Sequence, residues 1–176
     1  MRGSPPMKHD IRASRQWRAA AMTFSLLACP KISDADPYQC DIGNISVPHA
    51  VYDPTDSNPN SSGVGTVGIT CHLKNAKQTQ QVQYTIALSR GSSGSYNPRR
   101  MSGGRGSLGY NLYLDAARVT IWGDGSGGTF PLRGTLLLNP TTPVQQVIHN
   151  IYGLIPPLQD VYAGTYTDTV TITLTY

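Results

Sequence analysis

The last twelve residues restrict this chain more than any other stretch. Threonine holds every odd position from Thr165 to Thr175, and Tyr166, Val170, Ile172, Leu174 and Tyr176 hold even ones, with Asp168 the exception. A period of two sends alternate side chains to opposite faces of an extended strand. The pattern therefore predicts a half-buried β-strand, threonines on one face and the apolar set on the other. It runs to the final residue, with no further strand after it.

Other segments repeat the signal more weakly. Gly65–Cys71, Gln81–Leu88, Tyr110–Leu114, Arg118–Trp122 and Val144–Tyr152 read as short strands. Pro54 to Gly63, Gly91 to Gly109 and Gly123 to Gly128 lie between them and read as turns or loops, rich in Gly, Ser, Asn or Pro. The chain contains no Glu, and every acid is Asp. Helix surfaces favour Glu, Lys and Ala, whereas Thr, Val, Ile and Tyr suit pleated surfaces. The expected fold is all-β: a sandwich of about seven antiparallel strands.

An immunoglobulin-type sandwich normally sets another strand beside one like 165–176. If this fold stops a strand early, the sheet has an open edge and the core an open groove, which is an aggregation hazard. Filling it with about four apolar side chains from another chain yields some 1.5–3 kcal/mol each, the physics of strand donation. A complete sandwich that merely ends with a strand fits the pattern equally well.

The N-terminus reads as an export signal over residues 1–35, with Met7 as an alternative start. Lys8, Arg12, Arg15 and Arg18 precede an apolar run, Ala19 to Ala28, which is too short for a membrane span. Ser33-Asp34-Ala35 offers small residues for cleavage, leaving Asp36 first. Lipidation at Cys29 is the rival reading, and a disordered amphipathic tail is the bland one. The net charge of +4 sits wholly in this segment, and the remainder nets zero. Nucleic-acid binding needs surplus Lys and Arg on the folded body, so it is not expected. Outside the leader the cysteines are Cys40 and Cys71, an even pair in an oxidising compartment. A bridge between them would contribute roughly 3–4 kcal/mol. The alternative is two buried free thiols.

Catalytic and metal motifs find little support. Asp124-Gly125-Ser126 has the wrong register for a serine nucleophile, and His49, His72 and His149 stand in no supporting motif. Asp124 is a lone carboxylate in its loop, and Asp53 and Asp56 beside Pro54 read as turn formers. Gly103-Gly104-Arg105-Gly106 occurs once and precedes no phosphate-loop lysine. Arg99 and Arg100 read as solvated loop charges. No cofactor, metal site or enzymatic activity is expected.

Several motifs together resemble the spore coat protein U domain family, which includes subunits of archaic chaperone–usher pili. They are Val51-Tyr52-Asp53-Pro54, Gly65 to Cys71, Tyr84 to Ser89, Gly94 to Met101, Tyr110 to Ala116, Ile121 to Gly125, Val161 to Tyr166 and Asp168 to Tyr176, in order across residues 40–176. The resemblance implies an incomplete immunoglobulin-like sandwich lacking its last strand, over a domain at 36–176. It implies a periplasmic pilus chaperone, an outer-membrane usher and neighbouring pilus subunits as partners. It also implies export through the periplasm to the cell surface, attachment and biofilm formation. The strand-acceptor groove would then be Tyr166, Val170, Ile172, Leu174 and Tyr176.

Two departures from the family pattern stand out. Only Asp36-Pro37-Tyr38-Gln39 would precede Cys40 after cleavage, too little for a donor strand. The subunit would accept a strand and donate none, as at a fibre tip. The turn Leu154-Ile155-Pro156-Pro157-Leu158 is unusually apolar; it reads as an adhesive loop if exposed and as a buried corner otherwise. The competing function is a free-standing secreted binding module, for example for carbohydrate, stacking on tyrosines and Trp122.

Overall fold

A computed structural model describes residues 8–16, 24–26, 36–46, 51–75 and 77–176, the first two stretches as backbone. The expected cleavage point after Ala35, Cys29, His49 and most of the apolar run 19–28 lie outside the described residues. The strands are β1 (Lys8–Gln16), β2 (Phe24–Leu26), β3 (Tyr38–Ser46), β4 (Val64–Leu73), β5 (Gln80–Leu88), β6 (Arg99–Gly103), β7 (Gly106–Tyr113), β8 (Leu132–Leu138), β9 (Val144–Leu154) and β10 (Thr167–Thr175). No helix occurs among the described residues, and none is long and apolar enough to cross a membrane.

All strand pairs are antiparallel, and they build two layers. One layer runs β2-β1-β10-β5-β8, with β6 meeting β10 at Thr167↔Ser102. The other runs β3-β4-β9-β7. β7 belongs to both: residues 106–110 pair with β6, and residues 111–113 pair with β9. One apolar core lies between the layers, with Val67, Ile69, Val82, Ile86, Leu108, Leu136, Ile151 and Leu174 among its buried members. The all-β immunoglobulin-like sandwich follows from this arrangement. Residues 36–176 supply eight of the strands.

The layers also touch through polar atoms. Tyr84 on β5 is hydrogen-bonded to His149 Nε2 on β9 at 2.8 Å. Tyr84 lies beneath Gly134 on β8, where an added Cβ would fall 2.1 Å from the phenol oxygen. A glycine there lets the ring cross the sheet face.

Besides β1 and β2, which fall in the segment read as an export signal, three strands were not legible as such, and one expected strand is absent. β3 spans Cys40, and its pairing slips between Gly43 and Ser46. β6 lies inside the expected Gly91–Gly109 loop. β8 carries a leucine-rich run. Conversely, Arg118–Trp122 is not a continuous strand; it forms only single bridges, Tyr113↔Ile121 and Trp122↔Phe130. Arg118 has a left-handed φ of 57°, and the Asp115 carboxylate accepts from the backbone N–H groups of Val119 and Thr120. That turn takes up the residues the strand would need.

Candidate functional site

β10 alternates as its sequence requires. Tyr166, Asp168, Val170, Ile172 and Leu174 are buried, and the threonines between them are half-buried or exposed. One side of β10 pairs with β5 from Ile172↔Leu88 to Thr175↔Thr85 and with β6 at Thr167. Among the described strands its other side is met by β1 alone, in nine consecutive pairs from Lys8↔Thr175 to Gln16↔Thr167. No described strand of residues 36–176 touches that side.

Across the gap between the layers stands β3, an edge of the second layer. The rings of Tyr38 and Tyr176 lie 6.0 Å apart, centroid to centroid, at one end of the gap. Further along, an apolar cavity of about 20 Å3 opens between Ile45 on β3, Val67 on β4 and Val170 and Ile172 on β10, above Trp122 and Leu88. Of the expected acceptor residues, Val170 and Ile172 line this cavity, Tyr166 and Leu174 are buried in the core outside it, and Tyr176 is half-buried against Tyr38.

The opposite wall is stapled. Cys40 and Cys71 face each other in the β3–β4 register and form a disulfide. The bridge joins an edge strand to its neighbour, so β3 cannot peel from β4.

The far end of β10 is fixed by a polar cluster that the sequence did not reveal. Asp168 is buried, yet its Oδ1 accepts from Ser92 N–H at 2.7 Å and Thr169 N–H at 2.7 Å. Its Oδ2 accepts from the Tyr110 hydroxyl at 2.6 Å. Gly91, at a φ of 74°, packs so closely on this carboxylate that a Cβ would clash with Oδ2. Arg99 was expected to be a solvated loop charge; it is instead 0% exposed. Its guanidinium donates to Ser89 O at 3.0 Å, Asn111 Oδ1 at 2.6 Å and Trp122 O at 2.6 Å. It also stacks on the Tyr96 ring at 4.9 Å. Burial pulls its pKa down, opposed by Tyr110, Tyr96, Asp168 and Asp124. An arginine remains charged under such conditions, and a buried charge is tolerable only with its donors satisfied. The signal that would have exposed Arg99 is the two-residue alternation Arg99, Met101, both buried in β6.

Other expected residues fall in different places. Trp122 is 3% exposed and donates its indole N–H to Ile86 O, so it presents no stacking face to a ligand. The apolar turn divides: Ile155 is core, Leu154 and Pro157 are half-buried, Pro156 is exposed and Leu158 is 64% exposed. Gln159 anchors this turn, accepting from Gly109 N–H and donating to Gly109 O. Asp53 and Asp56 cap turns by accepting from Thr55 N–H and Asn58 N–H. Asp124 does the same for Ser126. Among the described residues no group of three or more His, Cys and Asp side chains is placed to hold a metal ion.

Comparison with known proteins agrees with the motifs. The family profile described as Spore Coat Protein U domain matches residues 26–173. Protein U of Myxococcus xanthus is 30% identical over 164 residues, covering 90% of this chain and 87% of that protein. No solved structure matches significantly.

Proposed function

Because the chain belongs to the spore coat protein U domain family, we propose that it is a structural and adhesive subunit of a surface fibre whose sandwich is completed by a strand from another polypeptide. One observation carries this reading: no described strand of residues 36–176 pairs with the outer side of β10, and an apolar seam opens there. An uncovered strand beside an apolar core must be filled to be stable in water. If export removes residues 1–35, β1 leaves with them and the seam needs a substitute. A periplasmic chaperone would lend one first, an usher would direct the exchange, and a neighbouring subunit would supply the final strand.

The tip position is part of the proposal. In a chain starting at Asp36, Tyr38 and Gln39 are already committed to β3, opposite Leu73 and His72. No free extension would remain to donate. The turn 154–158 is proposed as an adhesive contact carried by exposed Leu158. Leu158→Ser should lower attachment to polystyrene without changing the melting temperature, and unchanged attachment would remove the loop from the proposal. The carbohydrate-module reading loses its stacking tryptophan, since Trp122 is buried.

Periplasmic expression tests the main claim. Mature protein of a mass starting at Asp36 should aggregate or be degraded alone, and co-expression with a pilus chaperone should raise soluble yield at least tenfold. A stable, chaperone-independent monomer of that mass would overturn the proposal.

A further inference from the structure

We infer that the free edge of β9 pairs with the same edge of a second copy of this chain, antiparallel and centred on Gln146. β9 meets β4 along one side, from Val144↔His72 to Tyr152↔Val64. On its other side β7 covers only Tyr152 to Leu154. Among the described residues, no strand meets that side from Val144 to Ile151. Gly153 N–H donates to Gly63 O, and Pro143 O accepts from Leu73 N–H. Odd-numbered residues of β9 thus turn their backbone groups toward β4. Alternation along an antiparallel strand then turns the N–H and C=O groups of Val144, Gln146, Ile148 and Asn150 toward the open edge.

Nothing in β9 blunts this edge. Free edges are ordinarily guarded by lysine, proline, bulges or inward charges. From Val144 to Leu154 the strand has no lysine, arginine, aspartate or proline, and its pairing with β4 runs without a register shift. An uncharged edge also suits a copy of itself, because like charges would otherwise meet.

The side chains select the register. Val144, Gln146, Ile148 and Asn150 are exposed on the outer face. Backbone groups can meet only where even-numbered residues face even-numbered ones. Centring on Gln146 sets Val144 of each copy against Ile148 of the other. It also pairs the two Gln146 amides, each both donor and acceptor. Centring on Val147 would oppose Gln146 to Ile148 and Val144 to Asn150. Centring on Ile148 would run into Tyr113 of β7, which already faces Tyr152. Ile148 lies opposite Gly68 on β4, which offers it no side chain, so its cover must come from the open side. The product is one sheet continuous through both copies, on the side of β9 away from β3. A single pair of strands buries less than about 1,200 Å2, the range of transient contacts.

The full-length chain in a Cys29→Ser background tests this. Gln146→Cys should cross-link between copies on oxidation, and Thr70→Cys, beside Gln146 on β4, should not. In sedimentation the chain with no further substitution should dimerise reversibly with a dissociation constant between about 1 μM and 1 mM. Ile148→Lys and Val144→Asp should each weaken dimerisation about tenfold or more without shifting the melting temperature. Combined, they should recover most of it, since each lysine then meets an aspartate of the other copy. A chain still monomeric at about 1 mM would overturn the inference. So would equal cross-linking by Thr70→Cys, dimers indifferent to either substitution, or a double variant no better than the two alone.

Discussion

Within residues 36–176, the first layer has two outer strands, β8 and β10, and they are built in opposite ways. β8 is short, bounded by Pro131 and Pro140, and carries Arg133 and Thr135 outward. Among the described strands it pairs with β5 only, and its length, prolines and charge are ordinary protections against further pairing. β10 is two residues longer and, from Thr167 to Thr175, contains no proline, glycine or basic residue. Its only charged side chain, Asp168, is turned inward and fully occupied. One edge is finished, whereas the other is left ready for pairing. The difference teaches that openness at β10 is a property of that strand, since the same layer contains a blunted edge.

Several changes would break or sharpen the contrast. The largest expected effect is at Arg99, whose hydrogen bonds reach the loop after β5, β7 and Trp122. Arg99→Met should lower unfolding free energy by about 3–5 kcal/mol in urea titration, and Arg99→Lys should recover only part. Loss of the disulfide comes next: Cys40→Ala with Cys71→Ala should cost about 3–4 kcal/mol, read the same way, by freeing β3 at the seam. Leu174→Ala and Leu136→Ala should each cost about 3 kcal/mol, since both side chains are buried. Their effects on strand uptake should part, however. Affinity for a peptide copying residues 8–16, which pair with β10, should fall at least tenfold per folded molecule for the β10 variant and stay constant for the β8 variant. Equal losses would erase the distinction between the two edges.

The smallest effect is a pH dependence from the interlayer pair. Burial holds the His149 imidazole below its ordinary value of 6.5. The unfolded chain then binds the proton more readily than the folded one, so stability is fully present above the ordinary value. It is lost as pH falls through that value toward the folded one. Denaturation midpoints should decline on acidification through this window, and His149→Gln should flatten the decline.

The sequence made β10 legible because threonine and apolar residues alternate without interruption from Thr169 to Tyr176, so one strand's faces could be assigned locally. It made the cysteine pairing legible through parity. Asp168 was visible only as a break in the pattern, because its partners Ser92 and Tyr110 are 76 and 58 residues away. Arg99 was hidden for the same reason, surrounded by glycine and serine that suggest solvent. β8 escaped notice because Gly134 and Leu137 blur its two-residue alternation, and β3 because Gly43 and Asn44 interrupt it. Arg118–Trp122 misled in the other direction: its residues suit a strand, but Asp115 captures the backbone amides that a ladder would use.

The strand shared by both layers has a mechanical consequence. Since β7 is hydrogen-bonded to β6 through one half and to β9 through the other, neither sheet can slide past its neighbour as a rigid plate. Tension applied along β10 reaches β6 at Thr167 and Ser102, passes into β7 and is delivered to β9 and the cross-linked β3–β4 pair. A tug at the seam is thereby spread over the entire body, and rupture would demand that many parallel bonds shear together.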